Sequence, residues 1–258
     1  MTRIIAISTN KGGVLKTSLT TNLAGVLSKT NRILIVDTDN QGNAALSFGK
    51  NPDQFERTIY DVLLQGVHPK KAIYKVYKNI DILPANDDMA FFEFDVLTKI
   101  SKYPEPFSLL KNALEPIQDD YDFILIDTPP NLGLTQGNVL SFAKEVLIPF
   151  QPESYSMRSL VKILKAIDDF RERHNPHLSV LGVVGTLIDS RTVLHSQVLQ
   201  ECRAYCFNNS IRMFDTIIPR TVRFASSVAY EGLPATLTDK NNALVASYFE
   251  LAKEMLTQ

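Results

Sequence analysis

The chain has 258 residues and carries 27 Lys and Arg against 28 Asp and Glu, which gives a formal net charge of −1. Hydrophobic residues make up 45% of the chain and charged residues 21%, values that exclude a disordered or fibrous protein. A nearly neutral chain has no uniformly basic coat, so any contact with DNA must use a local patch.

The cysteines and the first residues of the chain indicate the cellular compartment of the protein. The chain holds two cysteines, Cys202 and Cys206, so we expect no disulfide framework. A closed zinc site needs about four ligands, which favours a structural role for the pair. The start, Met1–Ile5, lacks the layout of a signal peptide, and no apolar run approaches the roughly 20 residues of a membrane helix. We therefore expect a cytoplasmic protein.

Strand and helix patterns alternate along the chain. Seven short apolar runs predict buried strands: Ile4–Ser8, Ile33–Asp37, Ile80–Pro84, Phe123–Asp127, Glu145–Phe150, Val180–Leu187 and Phe214–Pro219. Helical stripes follow the first and fifth runs: Leu19, Leu23, Val26 and Leu27, then Leu160, Ile163, Leu164 and Ile167. Residues 103–122 indicate a helix with a loop at each end. This alternation predicts an α/β fold, one domain over residues 1–258, with a mostly parallel twisted sheet covered by helices on both faces.

A glycine-containing loop, Asn10–Ser18, lies between the first strand and the first helical stripe. Gly12 and Gly13 let backbone amides approach phosphate oxygens, and the helix N-terminus adds a favourable dipole. Lys16 then neutralises phosphate charge and the Thr17 hydroxyl binds Mg²⁺. The alternative is an ordinary strand-to-helix turn that contains two glycines.

Acidic residues follow two further strands. Asp37 and Asp39 come at the end of the second strand, and Asp127 ends the fourth. Ligands of such sheets bind at the carboxyl ends of the strands, so these carboxylates are candidate partners of Mg²⁺. Each acid alone is equally typical of a helix cap or a turn.

The ordered set of motifs resembles the deviant Walker A ATPases of the ParA/MinD family, a branch of the P-loop NTPases. Four segments besides the loop carry the resemblance, which runs from residue 3 to about residue 255. Lys11–Thr17 is similar to KGGVGKT, and the others are Asp37–Asn43 (similar to DxDPQGN), Asp127–Pro130 (a Walker B segment), Asp189–Thr192 (similar to DART) and Ile218–Phe224 (similar to IPRNVRL of the ParA/Soj branch).

The resemblance implies roles for individual residues. Lys11 is the signature lysine, which reaches the phosphates of a partner subunit in an ATP-sandwich homodimer, and Asp39 orients the attacking water. Catalysis would thus use Lys11, Lys16 and Asp39. Nucleotide contacts would come from Lys11, Gly12, Gly13, Val14, Leu15, Lys16, Thr17, Ser18 and Pro219, and Mg²⁺ contacts from Thr17, Asp37 and Asp127.

Leu15 departs from the family pattern, which has glycine directly before the loop lysine. A residue with a Cβ disfavours positive φ, so we expect Leu15 to disturb the loop if that conformation is required. Asn40, where the family has proline, is a milder change. ATP binding remains the favoured interpretation. Because of Leu15, hydrolysis is predicted to be slow.

A partition protein of this branch binds DNA without sequence preference. Residues 189–223 hold five Arg and three acids, a net charge of +2. Arg191 and Arg223 match positions that the family uses for DNA, and Arg220 is a neighbouring candidate. A second basic cluster (Lys70, Lys71, Lys75 and Lys78) is interpreted as a solvated helix face, with DNA or partner contact as the alternative.

The predicted function is an ATP-dependent DNA partition ATPase. The protein would dimerise with ATP and Mg²⁺, bind non-specific double-stranded DNA on the nucleoid, and be released when a ParB-like centromere-binding partner stimulates hydrolysis. Two alternatives stay open: a non-hydrolysing DNA-binding adaptor disabled by Leu15, and a MinD-like membrane protein. The C-terminal residues argue against the latter, because a stripe of Val245, Phe249, Ala252 and Leu256 is expected to pack on the sheet.

Overall fold

The computed structural model describes residues 1–189, 191–221, 223–239 and 242–257, and at Arg223 and Ala225 it describes the backbone alone. Eight strands form in this part of the chain: β1 (Arg3–Ile7), β2 (Ile33–Asp37), β3 (Tyr74–Tyr77), β4 (Ile80–Leu83), β5 (Phe123–Asp127), β6 (Glu145–Phe150), β7 (Ser179–Ile188) and β8 (Met213–Pro219).

The strands form one sheet in the order β3-β4-β2-β5-β1-β6-β7-β8. Every pairing is parallel except that of β3 with β4. The seven predicted strands are confirmed, with bounds that move by at most one residue. Their near-continuous apolar sequences reflect burial on both faces of the sheet.

Eleven α-helices are described: α1 (Lys16–Leu27), α2 (Asn43–Leu46), α3 (Ile59–Leu64), α4 (Phe92–Thr98), α5 (Leu109–Leu114), α6 (Leu134–Phe142), α7 (Ser156–Arg173), α8 (Val193–Asn208), α9 (Arg223–Glu231), α10 (Ala235–Thr238) and α11 (Ala243–Leu256). The predicted helix in residues 103–122 is α5, followed by a 3₁₀ segment over Glu115–Asp120.

Two apolar layers cover the sheet, one on each face. One layer includes residues of α3 to α8, among them Phe92, Leu140 and Ile163. The other includes residues of α1, α2, α10 and α11, among them Leu19 and Tyr248. All four residues of the predicted α7 stripe are buried. In α1, Leu19, Leu23 and Leu27 are buried and Val26 is half-buried. This is the predicted α/β architecture of a P-loop NTPase.

The interpretation of residues 70–78 as a helix face is wrong. Tyr74–Tyr77 forms the antiparallel edge strand β3, which pairs with β4 through a tight turn at Lys78 and Asn79. Asn79 adopts φ +61°, a left-handed conformation that Asn tolerates in such turns. Lys75 is exposed on this edge, where a charged side chain hinders pairing with a further strand.

The C-terminal helix packs on the protein, but its buried stripe differs from the prediction. Residues Val245, Tyr248, Leu251, Ala252 and Met255 are buried, whereas Leu256 is exposed and Phe249 is half-buried. The helix contacts α1 and β8, so its apolar face belongs to the core. In the described part of the chain, no helix is long and apolar enough to cross a membrane.

Candidate nucleotide-binding site

The predicted site lies at the carboxyl ends of three neighbouring strands, β2, β5 and β1. The sheet register sets Asp127 opposite Asp37 on one side and opposite Ile7 on the other. The loop that follows β1 therefore adjoins both acids. Such a crevice at the strand ends is the usual ligand site of an open parallel sheet.

The loop leaves a row of backbone donors without protein partners. Among the described residues, the amides of Lys11 to Leu15 donate to no other protein group. Gly13 adopts φ +71°, and a Cβ built there would meet no atom within 4 Å. Unpaired amides at the start of α1 favour an anion such as a phosphate group.

Leu15 adopts the conformation that glycine favours. Its φ is +69° and its ψ is +26°, and its carbonyl accepts the first hydrogen bond of α1 from the Leu19 amide at 2.8 Å. The leucine side chain is half-buried and packs against the α1 layer of the core. The loop thus keeps the left-handed geometry despite the Cβ.

Lys16 is buried at the base of this loop. Its side-chain Nζ donates to the Lys11 carbonyl at 3.0 Å. Burial lowers the pKa of Lys16, and the negative charges of Asp127 and Asp39 oppose that shift. The ammonium is therefore held within the loop beside two carboxylates.

Two carboxylates meet below the loop. Asp127 accepts a hydrogen bond from the Thr17 hydroxyl at 2.5 Å, and Asp37 accepts from the Asp39 and Ala44 amides at 3.0 and 3.1 Å. Burial raises the pKa of Asp127 to about 7, although the Thr17 hydrogen bond and Lys16 oppose it. Burial and the neighbouring Asp127 also raise the pKa of Asp37.

This donor set fits a magnesium ion. Two buried acids with raised pKa values and one hydroxyl lie within a single cluster, and a divalent cation would favour their charged forms. Mg²⁺ in such proteins takes one or two carboxylates and completes its shell with water and substrate phosphates. Within the described ranges, no group of three or more His, Cys, Asp or Glu forms a site that could hold a metal ion by itself.

Asp39 lies at the mouth of the cluster. Its side chain is half-buried and accepts from the Gln41 amide at 3.2 Å, while its own amide donates to Asp37. The carboxylate is thereby fixed in a turn, close enough to the loop for its charge to act on Lys16.

The two loop lysines have different environments. Lys11 Nζ donates to Glu153 Oε2 at 2.6 Å and to Ser156 Oγ at 3.2 Å, at the start of α7. Sequence reasoning missed Glu153 and Ser156. Their signal is the polar segment 153–156, which follows the buried strand β6 as the other site segments follow their strands.

Two predicted nucleotide contacts have partners outside the loop. The Ser18 hydroxyl lies 2.8 Å from the Tyr248 hydroxyl of α11, a buried residue that the sequence did not indicate. Pro219 ends β8 and is half-buried, opposite Ile188 in the register. It lies three strands away from β1 in the sheet order.

The structure brings two of the three predicted DNA-binding residues to one corner of the sheet. Arg191 and Arg220 follow β7 and β8, whose ends are paired, and both are exposed. The Arg220 amide donates to the Ile188 carbonyl at 3.0 Å. The Arg191 guanidinium donates two hydrogen bonds to the Asp189 carboxylate at 2.9 and 2.8 Å, and this pairing partly neutralises its positive charge. Arg223 begins α9, and its side chain lies outside the described residues.

Comparisons with known proteins agree with this geometry. A sequence family described as an AAA domain matches residues 2–180. The chain is 35% identical to the sporulation initiation inhibitor protein Soj of Bacillus subtilis, covering 99% of this chain and 98% of Soj. It is 36% identical to the chromosome partitioning protein ParA of Myxococcus xanthus, covering 98% of this chain and 88% of that protein.

A solved structure extends the comparison to three dimensions. The cobyrinic acid a,c-diamide synthase of Mycobacterium smegmatis, with bound ATP analogue and magnesium, superposes with a TM-score of 0.85. The two proteins share 31% identity, over 99% of this chain and 94% of that one. From the loop geometry, the sheet order and these relatives, the chain belongs to the ParA/Soj/MinD family of P-loop ATPases.

Proposed function

We propose that the protein is a DNA partition ATPase that dimerises with ATP and Mg²⁺, binds DNA without sequence preference, and leaves it after hydrolysis. A ParB-like centromere-binding protein would stimulate that hydrolysis. Soj of Bacillus subtilis and ParA of Myxococcus xanthus, similar over nearly the whole chain, support the assignment.

The observation that carries this proposal is the separation of the two loop lysines. Lys16 is 8% exposed and bound within its own loop, whereas Lys11 is held at the start of α7 by Glu153 and Ser156. In this proposal Lys16 binds the phosphates of its own chain. Lys11, whose side chain is 25% exposed, would reach a second copy once Glu153 releases it.

The remaining site residues have complementary tasks in this proposal. Mg²⁺, when bound with ATP, neutralises phosphate charge and orients the phosphates for transfer. Thr17, Asp37 and Asp127 would hold the metal or its shell, and Asp37 would also keep the turn of Asp39 in place through the hydrogen bond from its amide. The Asp39 carboxylate would orient the attacking water, and Pro219 would border the adenine.

DNA would bind at the corner formed by Arg191 and Arg220, with Arg223 as a further candidate contact. Contacts from arginine to phosphate give affinity that falls with salt and carries little sequence specificity. A dimer presents two such corners, so its affinity for a continuous duplex exceeds that of one copy. This coupling would make DNA binding depend on the nucleotide. It also implies an association with the nucleoid.

The adaptor alternative is favoured by Leu15 alone. If the leucine prevents turnover but not binding, the chain would hold ATP and DNA without hydrolysis. The MinD-like alternative lacks support, because the apolar face of α11 is buried in the core.

Hydrolysis and dimerisation in lysine variants test the proposal. We expect Lys16→Ala to lose nucleotide binding, and Lys11→Ala to keep it but to lose both the ATP-dependent dimer in sedimentation and most hydrolysis. Lys50→Ala, an exposed lysine away from the site, is the control and should behave as the unaltered chain. Unchanged hydrolysis by Lys11→Ala would contradict the proposal, and ATP-dependent DNA binding without any hydrolysis would favour the adaptor.

A further inference from the structure

An apolar groove lies on the side of the sheet opposite α1. It has a volume of about 320 Å³ and opens to solvent between α4, α6 and α7. Its lining includes Leu97, Phe107, Leu132, Leu140 and Phe170. None of these residues takes part in the nucleotide site described above.

Helix α4 beside this groove, together with the last residue of the 3₁₀ segment before it, exposes a row of large apolar side chains. Phe91, Phe94 and Leu97 are 61%, 67% and 53% exposed, and their spacing of three residues places them on neighbouring positions of one helical face. The opposite face of α4 is buried through Phe92 and Val96. Single exposed apolar residues are ordinary, but a row that continues an open groove marks an interaction site.

Acidic residues predominate along the row, and the basic residue that follows it, Lys99, is already paired. Residues 85–98 contain four acids (Asp87, Asp88, Glu93 and Asp95) and no Lys, Arg or His. Asp95 is paired with Lys99, whereas Asp87, Asp88 and Glu93 form no ion pair with any described residue. An apolar row bordered by unpaired acids is complementary to a basic amphipathic segment.

We propose that the row and groove, residues 91–97 together with Leu132 and Phe170, bind a short basic amphipathic helix of a partner protein. Such a helix would insert apolar side chains at its positions i, i+3, i+4 and i+7 and set its basic side chains against the acids. A second copy of this chain would bring its own acids against them, and an anionic membrane would be repelled.

The occupant would adjoin the segment that leaves the nucleotide site. Leu132 and Leu134 follow Asp127 by five and seven residues, and Glu93 accepts a hydrogen bond from the Leu134 amide at 3.3 Å. The helix would therefore lie against the start of α6, the first helix after the Walker B strand. Binding of this partner helix requires neither nucleotide nor DNA, so it can be measured independently of the proposed function.

Two synthetic helical peptides of 18 residues serve as probes, one of Leu and Lys and one of Leu and Glu with the same apolar pattern. Binding of each labelled peptide to the full chain is measured by fluorescence anisotropy. We expect the Lys peptide to bind at least tenfold more tightly than the Glu peptide, and this difference to shrink as salt increases.

Variants locate the binding. The double variant Phe94→Ser, Leu97→Ser should weaken binding of the Lys peptide at least tenfold, and Asp87→Asn, Asp88→Asn should weaken it about threefold. Phe207→Ser, which alters a side chain that is 85% exposed on α8, is the matched control and should leave binding unchanged. Equal binding of both peptides, or equal binding by the first double variant and the control, would overturn the proposal. Self-association that Phe94→Ser, Leu97→Ser abolishes would assign the row to a second copy and overturn it as well.

Discussion

Leu15 shows how one side chain bears on the phosphate loop. The sequence predicts that a Cβ at this position conflicts with positive φ, and the structure has φ +69° there. A residue other than glycine pays about 1–2 kcal/mol for the left-handed conformation. The strain is local, because α1 still begins at the next residue and Leu15 packs against the core.

Leu15 already holds the left-handed conformation in the free protein, so release of the strain should appear as folding stability. Leu15→Gly should have an unfolding free energy about 1 kcal/mol higher than Leu15→Ala, because both lack the leucine side chain and only alanine keeps the Cβ. Urea unfolding of the two variants measures this difference. An alanine variant as stable as the glycine variant would show that this position carries no backbone strain.

Asp127 makes the stability of the nucleotide-free protein depend on pH. Burial raises its pKa to about 7, well above that of an unfolded chain, so the folded state retains a proton that the unfolded state releases. Stability should therefore fall as pH rises from about 4 to about 7. Asp37 has the same sign, because burial also raises its pKa.

Asp127→Asn should remove the part of that fall that Asp127 causes, while the buried Asp37 keeps its own part. Without Mg²⁺ and nucleotide, the unaltered chain should lose on the order of 2–3 kcal/mol of unfolding free energy between pH 5 and pH 8, and the variant clearly less. Urea unfolding at the two pH values measures this. Asp53→Asn, at an exposed acid, is the control. An equal loss in Asp127→Asn and the unaltered chain would show that other groups cause it.

Glu153 restrains Lys11 in the single chain. The ion pair spans 2.6 Å, and the two side chains are 25% and 46% exposed, so it stabilises this arrangement by at most about 1 kcal/mol. Dimerisation releases one such pair in each copy, so Glu153→Gln should lower the protein concentration needed for the ATP-dependent dimer by up to about thirtyfold. Sedimentation across a concentration series measures this shift, and a dimer that needs more protein would show that Glu153 supports association.

Gly25 shows that packing between elements overrides helix propensity. Alanine is favoured over glycine in a helix by about 1 kcal/mol. A Cβ at Gly25, however, would lie 2.3 Å from the Thr236 hydroxyl oxygen and 3.2 Å from a Leu237 carbon. Thr236 is fixed by hydrogen bonds with Asn22, so α10 has little room to move.

Gly25→Ala should therefore lower the unfolding free energy by about 1–3 kcal/mol. Chemical denaturation measures it, with Val26→Ala as a control one residue along the same helix, where the side chain is only half-buried. A stabilised Gly25→Ala protein would mean that α10 yields at this contact.

The elements that the sequence predicted well are those whose pattern is set by burial. Apart from Arg3 at the start of β1 and the acids that end β2 and β5, these three strands are apolar because both faces are covered. The polar residues of the site stand at their carboxyl ends and in the loops that follow. Strand β3 was missed because it has four residues at an edge and a burial pattern that merely alternates. Its signal was the alternation of Tyr74, Lys75 and Val76 before the turn at Asn79.

The candidate site was predictable where it follows the chain and not where distant segments meet. Lys16, Thr17, Asp37 and Asp127 lie together as their positions after three strands predicted. Glu153 and Tyr248 come from other strand ends and helices, and only the packing of α7 and α11 beside the loop brings them in. The apolar pattern of α11 predicted the burial of Val245 and Ala252 correctly. It also predicted a buried Leu256, which is exposed because the packing of α11 on its neighbours decides which face is covered.

For the whole molecule, we expect nucleotide binding, dimerisation and DNA binding to be coupled. Each corner holds Arg191 and Arg220, and Asp189 partly neutralises the charge of Arg191. A single copy should therefore bind DNA weakly at physiological salt. Only two copies held together by ATP and Mg²⁺ would present enough positive charge for a stable complex.

The most direct measurement of this claim is binding to a duplex of arbitrary sequence with no nucleotide, with ADP and with ATP and Mg²⁺, over a salt series. We expect tight binding only in the presence of ATP and Mg²⁺, with an affinity that falls steeply as the salt concentration rises. Lys11→Ala and Arg220→Ala should each lose that binding. Equal binding in all three nucleotide states, or unchanged binding by Lys11→Ala, would contradict it.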